Sequence, residues 1–201
     1  MNQTKMMKTS GVIDRILNLA QIIMAIGGAV VIIAIVAMCV FGDRILQAAD
    51  VSLSLGELSL SLKDLSQVVD ISALKISMIF DLAAVVVLLA FGWYVIRLFR
   101  RLLGPMKEGR PFDNGASNVI RRLAWAVLIG GAVNELIGMI AVFVETKAIY
   151  FTALFHTEAV TGYTIDHVID VSFVLTALVL FLLSYIFRYG EELQKESDET
   201  L

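Results

Sequence analysis

The sequence is short of the residues around which enzymes and secreted domains are commonly built. It holds one cysteine in 201 residues, so no internal disulfide can form. Cys39 lies in an apolar run, where its simplest role is that of a small apolar side chain. The preceding Met38 is too bulky for the position before a lipidated cysteine. Only two prolines and two histidines are present. The chain has no glycine-rich phosphate loop, no nucleophile elbow and no zinc-binding spacing. Catalysis is therefore not expected, and neither is a metal or a cofactor. His156 and His167 fall near Glu158, Asp166 and Asp170, but only His167 and Asp170 stand at a helical spacing, which is too little for a ligand set.

Charge is scarce as well: 17% of residues are charged and 58% are hydrophobic, far from the balance of a soluble domain. Where charge is missing over long runs, the class of protein follows. Ile16 to Gly42 has no charged residue, and at ~1.5 Å per residue it forms about 40 Å of helix, enough to cross a bilayer with tilt. It is also too long for the apolar core of a cleaved signal. Leu82 to Ile96 is charge-free and extends outward to Ser72 if Lys75 and Asp81 are accommodated. Leu123 to Val144 is apolar apart from Asn134 and Glu135, and Val171 to Phe187 completes the set. These runs predict transmembrane helices at about residues 16–42, 72–96, 123–144 and 171–187, in one membrane domain covering residues 1–201. A soluble protein with four such helices would have almost no polar surface to cover them.

Lysine and arginine placement predicts the orientation. Lys5, Lys8 and Arg15 precede the first span. Arg97, Arg100, Arg101, Lys107, Arg110, Arg121 and Arg122 fill residues 97–122, and Arg188 and Lys195 lie in the acidic tail, residues 188–201. The other two connections carry Arg44, Lys63 and Lys147 against nine carboxylates. The positive-inside rule puts both termini and the 97–122 loop in the cytoplasm. Trp93, Tyr94, Trp125, Tyr185 and Tyr189 sit beside the same arginines, at the level where amphipathic rings favour headgroups. The formal net charge of −3 hides this asymmetry, and nothing in it points to nucleic acid. The basic loop either fixes orientation alone or also engages anionic lipid or a partner.

Between the first two spans stands "VSLSLGELSLSL", residues 51–62. Its strict alternation around Gly56-Glu57 predicts a β-hairpin with a type II′ turn. In that register Leu55 opposes Leu58, Leu53 opposes Leu60 and Val51 opposes Leu62, with the serines on the other face. A lone hairpin is marginal in water, so the leucine face needs a cover. That cover is either the protein's own helices or a partner docking outside the cytoplasm.

Polar residues inside the spans are the remaining candidates. Gly130, Asn134 and Gly138 recur every four residues, a pattern that lets helices approach closely with an amide bonding across the contact. Glu135 lies about 15 Å along the helix from Glu145 and about 20 Å from Arg122, near mid-span. Asp81 has a comparable depth in the second span. A carboxylate there is unfavourable by about 2.5–3.5 kcal/mol unless paired, protonated or facing water. The two could share a proton as a cation or proton site. Lys75 is a rival partner for either, or it extends outward along its stem.

In the loop, Gly104-Pro105 predicts the end of the second helix, and Asp113 is a candidate cap for the third. "GRPFD", the following "RRLAW" and above all the terminal "YGEELQKESDETL" resemble a bacterial four-span family catalogued as domain of unknown function 2975. Gly190, Leu193, Gln194, Glu196, Asp198 and Leu201 carry the most specific part of the likeness. "DNGASN" after Phe112 departs from it. The resemblance implies a multi-pass protein of the bacterial cytoplasmic membrane and no established reaction.

The expected fold is an all-α integral membrane protein, a four-transmembrane-helix bundle with a small extracytoplasmic β-hairpin between the first and second spans. The expected role is a non-catalytic interaction or regulatory component, surrounded by lipid and meeting another copy of itself or a membrane partner. The alternative is a small proton- or cation-linked transporter or channel using Asp81 and Glu135.

Overall fold

In the computed structural model, residues 3–48, 52–55, 58–61, 69–107, 115–148 and 168–199 are described. Four helices dominate them: α1 (Gln3–Ala48), α2 (Ile71–Lys107), α3 (Ala116–Ala148) and α4 (Ser172–Glu199). All four are long and apolar enough to cross a membrane. The shortest has 28 residues, which at ~1.5 Å per residue exceeds the ~30 Å hydrocarbon core. Each helix therefore carries polar turns beyond the lipid interior.

The distribution of exposure is the reverse of a soluble protein's. Ile33 and Leu175 are each 67% exposed, whereas Gln21 and Ser184 are each 8% exposed. Interior positions are largely small or polar: Ser77, Ser117, Ala124, Ala126 and Ala177 are all buried. Apolar surface gains nothing from burial when the surrounding medium is itself apolar, so small residues mediate the contacts between helices.

The chain forms two compact units. One comprises Met1–Gly28, Leu88–Asn134 and Asp170–Leu201. Leu98, Leu123 and Ala126 form its core, flanked by Val95, Val119 and Leu180. Trp125 meets Phe181 edge to face, with centroids 5.4 Å apart, the arrangement aromatic quadrupoles favour. Gly130 lies under Phe91, and Gly131 accommodates the ring of Phe173.

The other unit comprises Ala29–Val87 and Glu135–Ile169. In it the Asp70 N–H donates to the Ala148 carbonyl at 3.0 Å, tying the start of α2 to the end of α3. Asp70 also caps α2: its Oδ1 accepts the N–H groups of Ser72 and Ala73, satisfying donors that have no intrahelical acceptor. Strands β1 (Ser52–Leu55) and β2 (Leu58–Ser61) belong to this unit and pair antiparallel. Leu53 stands opposite Leu60 and Leu55 opposite Leu58. The expected Gly56-Glu57 turn and the Val51–Leu62 pair lie outside the described residues, as do His156, His167 and Asp113.

One expectation about a helix end is corrected: α2 does not end at Gly104-Pro105 but continues through Pro105 to Lys107. Pro105 gives up its own N–H bond and its ring crowds the carbonyl of Arg101, while the extra turn brings Lys107 to a carboxylate on α1. The helices also extend past the charge-free runs they contain, because charge marks where lipid ends and not where a helix must stop.

Candidate functional site

The first unit gathers two charged clefts at the basic ends of its helices. On α1, Asp14, Asn18 and Gln21 stand at i, i+4 and i+7, a polar stripe that enters the apolar run of the helix. Arg100 of α2 spans the whole stripe. Its Nε donates to Asp14 Oδ1 at 2.9 Å, and its Nη1 donates to Asn18 Oδ1 at 3.2 Å and to Gln21 Oε1 at 2.7 Å. Lys107 Nζ donates to the other Asp14 oxygen at 2.7 Å. A cleft of about 590 Å³ opens here, lined also by Trp93, Arg97 and Arg101.

The second cleft, about 650 Å³, lies between the start of α3 and the polar end of α4. Glu191 Oε1 accepts the Ser117 N–H at 2.7 Å, and Oε2 accepts the Ser117 hydroxyl at 2.8 Å. Ser184 donates its hydroxyl to the Ser117 carbonyl at 2.9 Å. A carboxylate on the first N–H groups of a helix also complements its dipole, so α3 is capped from another helix. Gly115 at φ 112° makes the turn that begins it. Arg121, Trp125, Tyr185 and Arg188 line the opening.

The intramembrane candidates fall elsewhere. Lys75 does not pair with Glu135 or Asp81. Its Nζ lies 3.2 Å from Asp43 of α1, and its stem crosses Gly42, where an added Cβ would sit 3.0 Å from Lys75 Cε. The absence of a side chain at Gly42 gives the lysine its route outward. Asp81 is half-buried, and a neighbour within reach of its charge is Glu145. Glu135 is half-buried and has an interaction of its own. Of the expected packing stripe, Gly130 contacts Phe91, Gly138 is half-buried and Asn134 is exposed. No group of three or more potential metal ligands occurs among the described residues.

Sequence reasoning passed over Asp14, Asn18, Gln21, Ser117, Ser184 and Glu191. For the first three a signal existed: polar residues at helical spacing inside and beside a charge-free run. Ser117 and Glu191 are 74 positions apart, and no local pattern joins them.

Four long apolar helices that expose leucines and isoleucines while burying serines and a glutamine define a multi-pass membrane protein. Within that class, residues 63–201 match a family described as protein of unknown function (DUF2975), and the chain belongs to it. Neither the curated proteins nor the solved structures contain a match to this sequence.

Proposed function

We propose that the chain is a non-catalytic interaction or regulatory component of the bacterial cytoplasmic membrane. Both termini and the 97–122 loop face the cytoplasm, by the same placement of lysine and arginine that the positive-inside rule reads. The observation that carries this reading is the seating of Glu191 on Ser117. It joins the polar end of α4 to the start of α3 and keeps Arg121 and Arg188 together at an open cleft. Such an arrangement suits display to a partner on the cytoplasmic side. The leucines 53, 55, 58 and 60 offer a second docking face on the other side of the membrane, for another copy or for a membrane partner.

A photo-reactive residue in place of Arg121, used in living cells, tests the reading. A discrete adduct with another copy or with one membrane protein, lost in Glu191→Ala, supports it. The same label giving no adduct, together with ion flux by the reconstituted protein, contradicts it.

The alternative is a proton- or cation-linked transporter or channel using Asp81 and Glu135, favoured by the charge of Asp81 acting on Glu145 in the unit that also holds Glu135. Reconstituted flux under a pH or sodium gradient, abolished by Glu135→Gln with the fold intact, is its test. Flux unchanged by that substitution removes it.

A further inference from the structure

We infer that the cleft formed by the basic ends of α1 and α2 binds the phosphate of an anionic phospholipid. Trp93, Arg97 and Arg101 recur every four residues on α2, so they form one stripe with about 6 Å of rise between members. Trp93 is 40% exposed, at the place where apolar helix gives way to arginine. Arg97 and Arg101 have no carboxylate partner among the described residues.

Among the described residues, the carboxylate that lines the cleft is already committed. Asp14 holds Arg100 on one oxygen and Lys107 on the other. Among the described residues the opening therefore presents four cations against a single, doubly paired acid. Guanidinium groups match phosphate oxygens in a planar fork, and Arg97 and Arg101 have no acid to bind among the described residues.

The apolar surroundings select a lipid over a free anion. An indole at one end of the stripe suits the boundary between headgroup and acyl chain. On α1, Leu19 and Ile22 adjoin the polar stripe and are 58% and 50% exposed, a surface on which acyl chains can lie. This inference goes beyond partner docking, and its failure would leave that reading standing.

Trp93 is itself the reporter. In full-length protein carrying Trp125→Phe it is the only indole, since the chain has two tryptophans. Reconstitution into phosphatidylcholine vesicles containing brominated phosphatidylglycerol, or brominated phosphatidylcholine at the same mole fraction, reads which lipid lies against it. Stronger quenching by the anionic lipid is expected. Replacing Arg97 and Arg101 by Gln should reduce that preference about fivefold per arginine, the effect of removing one cation beside an anionic surface. Replacing Arg121 and Arg188 by Gln, in the other cleft, should leave it unchanged. Equal quenching by the two lipids overturns the assignment, as does an equal loss in both pairs of variants. Competition by millimolar inorganic phosphate overturns it in favour of a soluble anion. Should the Arg97 and Arg101 variant fail to fold, the comparison of the two lipids on the chain with both arginines intact decides alone.

Discussion

Glu191 holds Ser117 with both carboxylate oxygens, one on its N–H at 2.7 Å and one on its hydroxyl at 2.8 Å. Two residues 74 positions apart thereby cap α3 from α4. Glu191→Ala leaves the Ser117 donors unpaired in a buried setting, which destabilises by about 1–3 kcal/mol. Thermal unfolding in detergent should show a lowered midpoint. Ser117→Ala in the same background should add much less than it does alone, because the hydroxyl has already lost its acceptor.

Gly131 and Phe173 make a second long-range fit. A Cβ at position 131 would fall within the Phe173 side chain, so Gly131→Ala forces the ring aside, an overpacking change worth about 1–3 kcal/mol. Phe173→Ala, which removes the nearest atoms Cγ and Cδ2, should destabilise less in the Gly131→Ala background than alone. An alanine at 131 with unchanged unfolding contradicts this contact.

Asp14 is the anchor of the α1–α2 network. Asp14→Asn removes the charge that pairs with Arg100 and Lys107, whose side chains are 35% and 37% exposed. Solvent screening keeps such a loss to about 1 kcal/mol. Protease cleavage after Lys107 should become faster, since that turn of α2 is tied to α1 by the same carboxylate.

Asp170 caps α4 in solvent. The Ser172 N–H and, secondarily, the Ser172 hydroxyl hold its carboxyl below the usual aspartate range. A depressed folded value means the cap contributes fully above the unfolded pKa and is lost as pH falls through the folded one. Hydrogen exchange at the first turns of α4 should therefore be faster in Asp170→Ala at neutral pH. The difference should shrink on acidification below the ordinary aspartate range.

What the sequence makes legible is what depends on composition along the chain. Four apolar runs interrupted by charge are enough to expect four spans, because lipid admits few other solutions. Helix ends are less legible. Charge stops the predicted spans at Ile96 and Phe187, while α2 and α4 continue for further turns that carry ion pairs. Partners are least legible of all. Lys75 has Asp81 six positions away, yet it reaches Asp43, 32 positions off, because Gly42 leaves space for its stem. Asp14, Gln21 and Arg100 meet only through the packing of two helices, which no local periodicity encodes.

The sidedness of the basic helix ends underlies the proposed role and is open to one direct measurement. With Cys39 replaced by Ser, single cysteines are placed at Ser54, between the first two spans, and at Arg121, an exposed position at the basic end of α3. A membrane-impermeant maleimide applied to intact cells should label cysteine 54 and leave cysteine 121 unlabelled until the membrane is opened. Labelling of 121 in intact cells, with 54 protected until lysis, contradicts the assigned orientation.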